Sequence, residues 1–346
     1  LCTVVEYMFS LEQALAITGN AAFGDRLEKL AFNALPGTLT DDMWAHQYNQ
    51  EPNQVECSLH HKPWVSDGPE SNLFGLEPNF GCCTANYHQG WPKFTTSLFL
   101  LSGDRNNDAH DGLAAAAYAP CEVHITLRGT PMHIAEETNY PFHGKVQFTI
   151  NPASPVAFPL QLRIPVWAAG AAITVNGKTE AAPVPGAFAR IERTWKSGDR
   201  VGIEFPMQPR VSRWFNDSIA IERGPLVFSY GIGESWVKLQ DRGLTADWQV
   251  FPATPWNYAL NVDPADPTRS ISVSEGNIGD IPFARASAPI LMHVKARKIP
   301  KWRAEDGAAD PLPQSPVTTS EPEEDLTLIP YAAAKLRITA FPELKT

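Results

Sequence analysis

Apolar side chains recur at Val4, Val5, Met8, Leu11, Leu15 and Ile17. That is the spacing of one helix face, and the run stops at Gly19, a residue suited to a helix end. Residues 21–34 repeat the pattern with Phe23, Leu27, Leu30, Ala31 and Ala34, closed by Pro36. The two runs predict a helical hairpin across a Thr-Gly-Asn turn. Such a pair cannot bury its apolar faces alone, so its neighbours are expected upstream of Leu1. Residues 84–101 predict a third helix carrying Trp91, Phe94, Leu98 and Leu100, with Pro92 early in it. Between the hairpin and that helix, residues 37–81 have no period. They are rich in Asn, Gln, His, Pro and Trp, and a loop this long in a compact domain is usually functional or disordered. Its large aromatics argue against disorder.

From about residue 112 the period changes to two. Val123–Leu127, Val146–Ile150, Leu160–Ile164, Ile173–Val175, Ala189–Glu192 and Val201–Phe205 alternate apolar and polar residues between Gly, Pro, Asn and Asp. This predicts antiparallel strands in a sandwich. Asn176-Gly177 is a hairpin-turn signal, and Lys196-Ser-Gly-Asp199 marks another turn. Further strands are expected at Ile219–Ile221, Leu226–Phe228, Ile290–Val294 and Leu336–Ile338, with a Pro- and acid-rich loop over residues 303–325. No internal repeat is present.

Composition narrows the function classes. The 43 % hydrophobic and 19 % charged content of the 346 residues fits a globular chain rather than a disordered one. A net charge of -10 with no basic run argues against nucleic-acid binding. No apolar run reaches the roughly 20 residues of a membrane helix. The chain opens on Leu1-Cys2 inside a helical pattern, without Met or leader, and reads as truncated or processed there. The five cysteines, an odd number, do not form a disulfide framework. Reduced thiols for metal or catalysis are the better reading, and they favour a cytoplasmic setting.

The strongest chemical signal is Gly81-Cys82-Cys83-Thr-Ala-Asn86, just before the third helix. Backbone N–H groups there favour a thiolate and so lower its pKa. Two adjacent cysteines also suit one soft metal, although two buried small hydrophobes are an equally ordinary reading. Zinc accepts Cys sulfur, His nitrogen or Glu oxygen. Spacing does not choose among Cys2, Cys57, His60 and His61 as further ligands. His46, Tyr48 and Asn49 are candidates for binding sugar hydroxyls, against a purely structural turn. His88 and Trp91 read as packed helix residues, Cys121 as a core thiol, and Glu56, Glu70 and Glu77 as loop carboxylates.

In this order along the chain, Leu1-Cys2-Thr-Val-Val-Glu-Tyr-Met-Phe-Ser-Leu-Glu12, Ile17-Thr-Gly-Asn20, Arg26-Leu-Glu-Lys-Leu-Ala-Phe-Asn33, Phe80-Gly-Cys-Cys-Thr-Ala-Asn86 and Glu222-Arg-Gly-Pro-Leu-Val227 resemble glycoside hydrolase family 127, the β-L-arabinofuranosidase family. The Cys-Cys segment is the most specific of these. Leu328-Ile-Pro-Tyr and Leu336-Arg-Ile-Thr resemble the family's C-terminal end. The resemblance implies an α+β multidomain chain: the C-terminal part of an (α/α)6-barrel over residues 1–104, then antiparallel β-sandwich domains over residues 105–230 and 231–346. It implies a retaining glycosidase whose nucleophile is a zinc-bound cysteine. Cys82 takes that role, and Cys83 and Cys2 become further ligands of Zn2+. The fourth ligand, a Glu, and the acid/base Glu would both fall before Leu1, so this chain alone is expected to be inactive. The expected partner is a carbohydrate, with neither nucleic acid nor membrane, and a homodimer through the β-sandwich region is the expected assembly.

The loop from His46-Gln-Tyr-Asn-Gln-Glu-Pro-Asn53 to Glu56-Cys57 departs from better-known members, which leaves the sugar open. Two other classes compete. A non-catalytic, zinc-stabilised carbohydrate-binding protein would keep a closed, inert thiol site. A polysaccharide lyase would use Tyr48 and His46, but leaves Cys82-Cys83 without a role.

Overall fold

A computed structural model describes every residue except 66, 77–79, 104–109 and 346; Glu77 therefore lies outside the described residues. The chain divides into two compact units. One comprises Leu1–Val5, Phe32–Gln89 and Gln208–Thr346, the other Glu6–Ala31 and Gly90–Met207. Three α-helices are present among the described residues: α1 (Cys2–Thr18), α2 (Ala21–Lys29) and α3 (Cys82–Thr96). None is long and apolar enough to cross a membrane.

The hairpin forms for the expected reasons. Gly19 closes α1 with a left-handed φ of 65°, its N–H reaching the Leu15 carbonyl at 2.8 Å. Asn20 caps α2 by accepting from the Ala22 N–H at 3.1 Å. Val5, Met8, Leu11 and Leu15 are buried, whereas Ile17, the penultimate residue of α1, is 62 % exposed. After α2 the backbone widens into a π-turn over Leu30–Ala34. The third helix is shorter than its pattern suggested. It ends at Thr96, and Phe99–Gly103 is a strand (β1) pairing with His110–Ala115 (β2). Successive β-branched Thr95 and Thr96 weaken the helix end, and Phe99-Leu-Leu gains a full antiparallel ladder instead.

In the second unit β1 and β2 join β6 (Val156–Ile164) and β9 (Ala187–Trp195) in a four-stranded sheet, ordered β1-β2-β6-β9 with β2 and β6 parallel. A six-stranded antiparallel sheet runs β3 (Cys121–Leu127), β4 (Thr130–Thr138), β5 (Lys145–Pro152), β10 (Asp199–Glu204), β7 (Ala172–Val175) and β8 (Lys178–Thr179). Asn176 and Gly177 both have positive φ and close the two-residue β7–β8 hairpin, as their sequence predicts. The sheets meet through Phe99 and Phe148, edge to face at 6.1 Å, with Ile134, Val146, Leu160, Leu162 and Trp195 buried around them. Helix α2 is tied in by charge. Arg163 of β6, fully buried, pairs through Nη2 with the Glu28 carboxylate at 2.5 Å and donates from Nη1 to Asp25 and from Nε to the Ala116 carbonyl at 2.5 Å. Glu28 also accepts from the Tyr140 hydroxyl at 2.5 Å and the Tyr118 N–H at 3.0 Å, so both its oxygens have neutral donors beside the ion pair.

The first unit is built on an eight-stranded sheet. Along its main path it orders Arg210–Arg213, Ile219–Arg223, Leu226–Gly231, Glu323–Pro330, Ile290–Lys298 and Tyr258–Asn261; Ile271–Glu275 and Arg337–Ile338 pair alongside. The segment over residues 303–325 is mostly loop, broken by a two-residue ribbon and entering the strand at Glu323. Two of the resembling motifs meet here. Asn33 donates to the Pro225 carbonyl at 2.9 Å and accepts from the Val227 N–H at 2.8 Å, fixing the Gly-Pro-Leu-Val turn by one amide.

Among the described residues of the long segment over 37–81, regular structure is limited to short 3-10 turns and isolated bridges. Its backbone polar groups are satisfied piecemeal, as burial demands. Cys57 and Phe74 make isolated bridges to Val250 and Trp248 of a two-stranded ribbon, Glu234–Asp241 with Ala246–Pro252. His46 bridges Leu39 and Gly75. Gln47 donates to the Asn72 carbonyl at 2.7 Å and Gln54 to that of Lys335 at 2.8 Å.

Candidate metal centre

Cys2 is the first residue of α1, and Cys82 and Cys83 are the first two of α3. These helix starts bring the three sulfurs within 4.8 Å of one another, with Cys2 and Cys83 3.9 Å apart. Ligands at Zn–S ≈ 2.3 Å in a tetrahedron stand about 3.8 Å apart, so the donor set fits one zinc-sized ion. The three differ in access: Cys83 is buried, Cys2 half-buried and Cys82 exposed. All five cysteines are free thiols.

The electrostatics differ from the lowered pKa that a helix start predicts. Burial pushes the Cys83 thiol up, and the neighbouring Cys2 and Cys82 add to the rise. Burial and then the hydrogen bond and charge of Cys2 push Cys82 up as well. Burial first, and then three sulfurs opposing each other's ionisation, outweigh the helix N–H groups; a cation among them would reverse that balance.

Of the other ligands that spacing left open, Cys57 lies apart from this cluster. It is fully buried, accepts from Gln47 Nε2 at 3.2 Å, and its thiol is pushed up to about 12 by burial. His60 instead faces Glu56, Nδ1 to Oε1 at 2.6 Å, and Glu56 also accepts from the Ser58 hydroxyl. Glu56 is thus committed within its loop. His88 is exposed and sits over the Thr84 carbonyl at 3.1 Å. Cys121 is half-buried on β3 rather than a core thiol, 3.7 Å from the buried carboxyl of Glu136.

The sugar-binding candidates divide. Tyr48 stacks on Phe80, ring centroids 4.3 Å apart and nearly parallel, just ahead of the Cys pair in sequence. Its phenol is pushed up by burial, then by the charge of Asp67 and of the three clustered cysteines, which marks its nearness to them. Asn49 spends its side-chain amide on Asp67 at 3.2 Å and Ser71 at 3.1 Å, so it shapes the loop. His46 is buried, 7 % exposed, with its backbone bonded to Gly75. Phe80 was not singled out by the sequence; the available signal was an aromatic two residues before the Cys pair.

A family model described as beta-L-arabinofuranosidase, GH127 middle domain, matches residues 112–207. No curated protein matches the chain. Among solved structures, the chain is similar to one titled glycoside hydrolase, at 21 % identity and a TM-score of 0.70, covering 99 % of this chain and 52 % of the other. It is also similar to a GH127 beta-arabinofuranosidase, at 19 % identity and a TM-score of 0.66, covering 98 % of this chain and 48 % of the other. A third is a GH127 beta-L-arabinofuranosidase from Geobacillus stearothermophilus T6, at 20 % identity and a TM-score of 0.63, covering 97 % and 48 %. The chain thus spans about half the length of the solved structures it matches.

Proposed function

We propose that this chain, whose residues 112–207 match the GH127 middle-domain model, is part of a GH127 enzyme and carries the nucleophile and the metal-holding thiols of a retaining glycoside hydrolase. The observation that carries the reading is the convergence of Cys2, Cys82 and Cys83 from two helix starts, with Cys82 alone exposed. A purely structural zinc site has its coordination positions closed by protein, whereas one accessible sulfur in the cluster suits a nucleophile. In this reading Cys2, Cys82 and Cys83 hold Zn2+, which when bound keeps the thiols ionised at neutral pH. Residues 1–104 belong to an (α/α)6-barrel, with β-domains over 105–230 and 231–346.

Cys82 Sγ attacks the anomeric carbon while the glycosidic C–O bond breaks, giving a thioglycosyl intermediate on Cys82. A carboxylic acid, which the resemblance places ahead of Leu1, protonates the leaving oxygen. Its carboxylate then takes a proton from water, which displaces Sγ and restores the starting configuration. Cys83, buried, does not reach substrate and serves to hold the site. The Tyr48–Phe80 stack forms an aromatic wall for the sugar, with His46 and Asn49 fixing its loop. The substrate is a non-reducing terminal β-L-arabinofuranoside or a related plant-glycan sugar.

An L-arabinofuranosyl bromoacetamide tests this, followed by peptide mass mapping. Modification should fall on Cys82 and be slowed by free L-arabinose. Labelling that ignores the sugar, or that favours Cys2 or Cys83, would overturn the assignment.

A further inference from the structure

Away from the thiol cluster, Glu122, His124 and His133 form a second group with metal-ligand chemistry, on the outer face of the six-stranded sheet. The register of β3 and β4 builds it. His124 and His133 are directly opposed partners, and Glu122 lies two residues before His124, hence on the same face. The hairpin that sets this register is a two-residue turn, Arg128-Gly129, with positive φ at both positions (51° and 76°), so the group is preorganised by backbone.

We propose that Glu122, His124 and His133 bind one divalent transition ion of borderline softness, such as zinc, nickel or cobalt. Both Nε2 atoms turn toward the same carboxylate oxygen: Glu122 Oε2 lies 3.6 Å from His133 Nε2 and 3.8 Å from His124 Nε2. Two bonds of about 2.0–2.2 Å at a tetrahedral angle separate their donor atoms by about 3.3–3.5 Å. The observed spacings exceed that by a few tenths of an ångström, within reach of small side-chain rotations. They are too long for hydrogen bonds, so the donors converge without satisfying one another. The imidazoles stack, centroids 4.7 Å apart at 21°, which aligns their nitrogen edges. His133 Nε2 is shielded from solvent and has no hydrogen-bond partner among the described residues, the state of a nitrogen awaiting an acceptor of its lone pair.

Two imidazoles and one carboxylate leave a fourth position for water or another oxygen donor. An open groove of about 510 Å³ starts at His124 and His133 and is lined by Thr126, Met132 and Asn151. It gives an ion its way in. The absence of sulfur distinguishes this site from the thiol cluster, since imidazole and carboxylate suit zinc, nickel and cobalt alike.

The test is zinc stoichiometry by equilibrium dialysis, with Co2+ absorption as a second readout, on the full chain and on His124→Ala/His133→Ala. These side chains face outward on a hairpin, and circular dichroism and melting check that the variant folds. The expected result is that the variant binds one equivalent of zinc fewer. It should lose only the part of the Co2+ d–d absorption that comes from the N/O site, while any thiolate-to-cobalt charge-transfer band stays unchanged. A Cys82→Ser/Cys83→Ser chain should do the opposite. Equal zinc binding by the parent chain and the histidine variant would overturn the proposal, whatever the cysteine variant does.

Discussion

Removing Arg163 tests how helix α2 is fastened in its unit. Arg163→Met keeps the side-chain volume and the apolar stem but deletes the guanidinium. Glu28, with no exposed surface, then loses its charged partner at 2.5 Å and retains only the Tyr140 hydroxyl and the Tyr118 N–H. The Ala116 carbonyl loses its donor as well. Breaking a buried, hydrogen-bonded ion pair from one side costs about 3–5 kcal/mol, because the remaining charge stays dehydrated. Replacing both partners by apolar groups leaves no such charge. Arg163→Met/Glu28→Leu is therefore expected to be more stable than Arg163→Met alone by more than about 1 kcal/mol. Burial works against the Arg163 charge, but Glu28 and Asp25 outweigh it and raise its pKa, so the guanidinium stays charged; burial pushes the Glu28 carboxyl up against the pull of Arg163. Urea titration followed by circular dichroism measures the difference. An Arg163→Met loss below about 1 kcal/mol, or a double variant as damaged as the two single losses combined, would refute the reasoning.

Cys57, held neutral by burial with a pKa of about 12, should resist iodoacetamide at pH 8 while exposed Cys82 reacts. Equal labelling of the two in peptide maps would contradict the structure. Glu12, only 3 % exposed, is pushed up to about 7 by burial, against the pull of Lys93. A carboxyl whose folded pKa is raised contributes stability below its ordinary value of 4.5 that is lost as pH rises through about 7. Glu12→Gln should therefore melt progressively higher than the parent chain as pH rises from 5 to 8, and a constant difference would count against this.

The strands were legible where the period was clean. Val123–Leu127, Val146–Ile150 and Ile173–Val175 all lie in the six-stranded sheet, because one face is buried and the pattern alternates. The end of α3 was not legible. Leu98 and Leu100 fit a helical period, yet the strand pairing of Phe99–Leu101 with Leu113–Ala115 wins, and a long-range partner leaves no trace in local spacing. Which ligands join the Cys pair was also hidden. Cys2, Cys57, His60 and His61 were equal on spacing, and only the packing of two helix starts separates Cys2 from the rest. The Glu122-His124 alternation is visible in sequence, but its completion by His133 depends on the hairpin register. Resemblance supplied the role of the Cys-Cys segment, which composition alone left open.

The central claim is that Cys2, Cys82 and Cys83 hold one zinc ion. Its most direct test is the zinc content of the purified chain in the His124→Ala/His133→Ala background, which removes the outer-face group from the count. The account predicts close to one equivalent, falling sharply in Cys82→Ser and in Cys83→Ser. A folded chain without zinc, or one whose zinc survives both substitutions, would contradict it.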